Sequence, residues 1–142
     1  MERKLVRVKG GILFTSYYAR IKGGRGVKFS ISLYPPKWLT EGKDYKPLYE
    51  LAPPLSAFLD YQKGKLPLED FKFKYRDHIL DMPVGGRGLK IITDLLDQGI
   101  DVTIYCHEVP KEHETKEHPY KFCHRELVAE RIRELGYRSR EI

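Results

Sequence analysis

Both cysteines of the chain and four of its five histidines fall between residues 106 and 124. They form Cys106-His107-Glu108 and Cys123-His124-Arg125, with His113 and His118 in the polar stretch between. A cysteine at a helix start feels the partial positive charge of unpaired amides, and a nearby arginine adds a full one; both favour thiolate. Cys123 has that setting, with Arg125 two residues on. On this reading Cys123 is a nucleophile or redox thiol, and His124, His107 or Glu108 is its proton partner. Arg125 and the helix amides hold an anion, with Cys106 beside them as a further ligand-binding residue.

A second reading makes the same stretch a zinc site. Cys106 and Cys123 supply two ligands, and His107, His113, His118 and His124 are the candidate nitrogens. Adjacent side chains on a strand point to opposite faces. That sets His107 apart from Cys106 and favours the loop histidines, His113 and His118. The spacing has no Cys-x-x-Cys, so it is not that of a zinc finger. A third reading is structural: two small buried hydrophobes beside solvated histidines. The residues leave all three open.

The elements that must position these groups are legible around them. Residues 101–106, Asp-Val-Thr-Ile-Tyr-Cys, predict a buried strand, and 124–135 an amphipathic helix. Leu127, Val128, Ile132 and Leu135 are that helix's stripe, and Gly136 caps it. A helix over 89–98 precedes the strand, as in a βαβ unit. Before it, Val84-Gly85-Gly86-Arg87-Gly88 reads as a glycine-rich loop at a helix N-terminus, where amides and Arg87 can face an anion. Residues 12–19 and 27–34 predict strands. The second alternates cleanly, with Val27, Phe29, Ile31 and Leu33 on one face, and Pro35-Pro36 ends it. Residues 35–47 read as an irregular loop carrying Trp38 and Tyr45, with core packing or a loop anchor as the tryptophan's role and a stacking platform for a base as the alternative. Helices follow over 55–61 and from about 66, the latter with Phe71, Tyr75, His78 and Ile79 on its apolar face. Short strands are expected at 5–8 and 137–142. The sum is one compact α/β domain over residues 1–142, a small, mostly parallel sheet flanked by helices, with the first two strands paired antiparallel.

Composition narrows the partners. At 142 residues the chain can bury a sizeable core. It has no apolar run of transmembrane length and no apolar signal core at its start, which predicts a cytoplasmic protein with no membrane partner. Two cysteines there are expected to be reduced. Abundant Lys, Glu and Tyr fit a thermophile, and hyperthermophile interiors are the exception to the reduced-thiol rule, so a bridge between the two cysteines stays open. The formal charge of +6 and ten tyrosines favour an anionic, phosphate-bearing ligand such as a nucleotide or nucleic acid. Two alternatives of other classes stand beside it: a non-catalytic nucleic-acid-binding module and a zinc-stabilised structural protein.

Tyr105-Cys106-His107-Glu108, then Cys123-His124-Arg125 with Leu127-Val128-Ala129-Glu130 following, resembles the C-terminal signature of the family known as domain of unknown function 488. Cys106, Glu108, Cys123, His124 and Arg125 match its Cys-x-Glu and Cys-His-Arg residue by residue. Leu33-Tyr34-Pro35, Leu51-Ala52-Pro53 and the segment from Phe71 to Tyr75 resemble it more loosely. Ser30 and Ser32 stand where the family carries an Asp and an Arg. The loop between the cysteines is longer than the family's and adds His113, Glu114, Glu117 and His118. The resemblance implies which residues form the site; the family carries no assigned activity, so the reaction stays open.

Overall fold

A computed structural model describes residues 10–117 and 120–142. Five strands form one sheet: β1 (Ile12–Tyr17), β2 (Val27–Ser30), β3 (Lys46–Pro47), β4 (Val102–Cys106) and β5 (Arg138–Glu141). All are parallel, in the order β3-β2-β4-β1-β5. Among the described residues four α-helices accompany them: α1 (Leu55–Gln62), α2 (Leu68–Tyr75), α3 (Pro83–Asp97) and α4 (Arg125–Glu134).

The period of two sorts each strand between two cores. Leu13, Phe29, Ile31, Val102 and Ile104 face the main core, where they meet Leu89, Ile92 and Leu96 of α3 and Leu127, Val128 and Ile132 of α4. Tyr105 faces the other way, into a smaller cluster with Tyr18, Ile21 and Tyr45. Connections β1→β2→β3 step toward one edge of the sheet and run through that smaller cluster. Connections β3→β4→β5 step toward the opposite edge and carry the helices. A right-handed crossover must change face when it changes direction, which accounts for the split. The reversal falls between neighbours β2 and β4. Their chains leave in opposite directions and open a crevice at the strands' carboxyl ends, the usual ligand position in parallel sheets.

Several expectations are corrected. β1 and β2 are parallel and are not neighbours, because β4 inserts between them. β2 ends at Ser30, four residues short of the prolines. Ile31 still donates to Tyr105 O at 3.1 Å, while Ser30 O accepts from Leu48 beside the short strand β3, inside the expected loop. The glycine-rich segment 84–88 is the first part of α3, with Pro83 in its first turn. A Cβ on Gly85 would meet Ile79 O, and one on Gly88 would meet the Leu51 side chain. These two glycines serve close packing, so no anion-binding loop precedes α3. The helix expected through Ile79 gives way to a π-helical turn at Arg76–Leu80, where His78 is exposed and pairs with Asp77. Trp38 is 65% exposed and so is no core residue. The strand expected at 5–8 lies outside the described residues. Among the described residues no helix is long and apolar enough to cross a membrane.

Candidate functional site

The carboxyl end of β4 and the entry turn of α4 meet. Cys106 is the last residue of β4, and Cys123 and His124 lead into α4. Residues 17 apart in sequence, Cys106 and Cys123 are joined by a disulfide with their Cα atoms 6.9 Å apart. This corrects the expectation of free thiols: while the bridge stands, neither sulfur is a nucleophile. Both are buried, and the strand-to-helix return presents one to the other.

His124 is buried and locked by its ring. Nε2 lies 2.6 Å from Ile31 O, in the segment that leaves β2. A carbonyl only accepts, so Nε2 carries the proton and Nδ1 keeps its lone pair. Nδ1 lies 3.7 Å from Cys123 Sγ. Burial, helped by the neighbouring charge of Arg125, lowers the imidazole pKa to about 4 against the opposing bond to Ile31, so the ring is neutral near pH 7. The ring of Tyr75 packs 5.3 Å from it at a tilt. Tyr75 itself is fully buried, its hydroxyl donating to Leu51 O at 2.6 Å.

Arg125 is the largest fully buried side chain among the described residues. Its Nε and Nη2 donate to the two carboxylate oxygens of Glu141 at 3.0 and 3.3 Å, and Nη1 donates to Cys106 Sγ at 3.2 Å. Thr15 Oγ1 donates to the same carboxylate at 2.6 Å. Each nitrogen of the guanidinium thus has a partner within the protein. The expectation that it holds a ligand's phosphate gives way to a structural ion pair beside the bridge.

The crevice between β2 and β4 is a cavity of about 380 Å³. Cys106, His107, Glu108, Cys123 and His124 line it, and Arg125 does not. Aromatic rings supply much of the wall, among them Tyr34, Phe58, Tyr61, Phe71 and Phe122, with Tyr61 stacked on Phe71 at 4.7 Å. Lys121 is the cation of the lining. Ser32 Oγ, also on the wall, is buried and finds no hydrogen-bond partner among the described residues. His107 bonds Tyr34 O at 2.7 Å and meets Tyr18 edge-on, and it is not part of the cluster that the two sulfurs form with His124.

Of the remaining expected residues, Arg87 is exposed on α3 and lines no part of this cavity. His113 lies against Tyr17 and Arg20, 3.2 and 3.0 Å away, and is no companion of the sulfurs. His118 lies outside the described residues. His124 takes the place expected of a loop histidine: Cys106 Sγ, Cys123 Sγ and a His124 ring nitrogen all lie within 4.8 Å of one another. Sequence reasoning passed over Glu141 and Lys121, and it marked Ser32 only as a departure from the resembled family. Glu141 is identified only by the register of β5 on β1, which places it opposite Thr15. Compared with the models of known protein families the chain matches none, and no curated protein matches it.

Proposed function

We propose that the protein binds, and with its thiols freed acts on, an anionic ligand with a planar ring, of the nucleotide class, in the crevice between β2 and β4. The observation that carries this reading is the cavity of about 380 Å³ at the carboxyl ends of those strands, walled by aromatic rings and bearing Lys121. Tyr34, half of whose surface or more is open to solvent, offers a ring face for stacking. Lys121 takes the anion in place of Arg125. Cys123 is the reactive sulfur, and Nδ1 of His124 is the acceptor beside it. Glu108 on the wall is a second proton partner. Membership of the domain of unknown function 488 family is part of the same proposal, resting on Cys106, Glu108, Cys123, His124 and Arg125. So is a cytoplasmic setting, where the bridge is open to reduction.

Calorimetric titration of the reduced and bridged protein with ADP, adenosine and pyrophosphate tests it. Tyr34→Ala should weaken ADP and adenosine binding by roughly 5- to 150-fold, the range for loss of one base–aromatic stack. Lys121→Ala should weaken ADP and pyrophosphate and leave adenosine alone. No binding of any of the three at millimolar concentration, or affinities indifferent to both substitutions, would end the reading.

A further inference from the structure

The geometry points to a second state of the bridge: once reduced, Cys106 Sγ, Cys123 Sγ and His124 Nδ1 bind one divalent cation of the zinc class, leaving its fourth position open to the cavity. This holds whether or not the cavity takes a nucleotide.

Four observations converge. The two sulfurs and a ring nitrogen of His124 already lie within 4.8 Å of one another, with Nδ1 3.7 Å from Cys123 Sγ, and all three residues are buried. The imidazole is prepared as a ligand. Its Nε2–H is fixed on Ile31 O at 2.6 Å, which aims the Nδ1 lone pair toward Cys123 Sγ. A ligating histidine typically donates its other N–H to a backbone carbonyl or carboxylate in this way. Arg125 Nη1, 3.2 Å from Cys106 Sγ, supplies the N–H···S bond that steadies a metal-bound thiolate. Its charge is already balanced by Glu141, so the guanidinium does not repel the cation as a free one would. Finally, all three residues line the cavity, and no other His, Cys, Asp or Glu joins the cluster among the described residues. Three protein ligands with one open position is the arrangement of catalytic zinc, whereas structural zinc takes four protein ligands.

The step balances without further groups. A dithiol reductant passes two electrons and two protons to the bridge; it becomes a disulfide, and Cys106 and Cys123 become thiols. The cation then displaces both thiol protons, and two thiolates neutralise its double charge. Two Zn–S bonds in a tetrahedron hold their sulfurs about 3.8 Å apart, a separation reached by side-chain rotation across Cα atoms 6.9 Å apart. Bridge and ion are alternative occupants of one place, so oxidation expels the metal.

Cobalt(II) titration of the full chain, reduced with a phosphine and compared with the bridged form, reads this directly. The reduced protein should take one equivalent, with thiolate-to-cobalt absorption and tetrahedral visible bands. The bridged protein should bind at least roughly a hundredfold more weakly and lack both signals. Added thiocyanate should shift the visible bands by entering the open position. His124→Ala should weaken binding by roughly tenfold or more. Should that variant misfold, zinc X-ray absorption on the wild-type chain gives the same answer as two sulfurs and at least one nitrogen. A folded, reduced protein without the charge-transfer band would overturn the inference, as would cobalt binding indifferent to the bridge. Bands unmoved by thiocyanate would overturn the open position.

Discussion

Removing Glu141 should harm this protein more than removing Arg125, although each change breaks the same ion pair. Arg125 is 2% exposed and Glu141 28%. Glu141→Ala leaves a guanidinium sealed inside the protein with Nε and Nη2 unsatisfied, and it takes the acceptor from Thr15 Oγ1 as well. Breaking a buried pair from one side costs about 3–5 kcal/mol. Partial exposure of the carboxylate lets water enter behind it, which reduces the figure here to about 2–3 kcal/mol. Arg125→Met leaves instead a carboxylate that solvent can reach, and fills the space with an apolar side chain of similar length. Its cost should be smaller, about 1–2 kcal/mol, mostly lost packing and the lost N–H···S bond. The double variant Arg125→Met/Glu141→Ala should therefore be more stable than Glu141→Ala alone. Urea unfolding of the bridged proteins, followed by circular dichroism and compared at equal m-value, gives all three numbers. Additive single costs, or a Glu141→Ala cost under about 1 kcal/mol, would refute the view that Glu141 is there to neutralise a buried cation.

The glycines of α3 give a matched pair. Gly86→Ala meets nothing within 4 Å and should stabilise by about 0.5–1 kcal/mol through helix propensity, whereas Gly85→Ala meets the backbone oxygen of Ile79 and should destabilise by about 2 kcal/mol or more. Thermal melts of the two variants decide it, and equal shifts would contradict the packing of α3 on the π-helical turn. Reducing the bridge closes no loop in the unfolded chain, so metal-free reduced protein should lose roughly 3 kcal/mol relative to the bridged form, from the loop-closure entropy of the 17-residue separation. Urea midpoints with and without a phosphine, in the presence of a chelator, measure it. Tyr75→Phe removes a buried donor from Leu51 O and should cost about 1–2 kcal/mol in the same assay; no change would mean that water already satisfies that carbonyl.

The sheet was legible wherever a strand has two unlike faces. Val27, Phe29 and Ile31 state their core side by alternation, and Val102 to Cys106 announces a buried strand by its β-branched and aromatic residues. Strand order was not legible, because nothing local says that β4 enters between β1 and β2; that is decided by which helices lie on which face. The antiparallel expectation failed for this reason. Glycine misled at 84–88 because the same residue serves turns and close contacts. Only the presence of Ile79 O and Leu51, distant in type from any loop signal, separates the two uses here.

At the site, the element boundaries placed Cys106 and Cys123 at a strand end and a helix start, which is where they are. The bond between them depends on how the chain returns from β4 to α4, and spacing in sequence does not encode that. Arg125 is more instructive. Its i+3, i+4 and i+7 neighbours are Val128, Ala129 and Ile132, all buried on the face that α4 turns to the sheet. The helical period therefore already directed Arg125 inward, where a cation needs an anion of the protein's own before it can serve a ligand. The last strand supplies it: Arg138 and Arg140 fall on one face of β5, and Ser139 and Glu141 fall on the other, in register with Leu13 and Thr15. A stripe read for charge as well as hydrophobicity thus turns Arg125 toward the sheet, where β5 presents Glu141 to it.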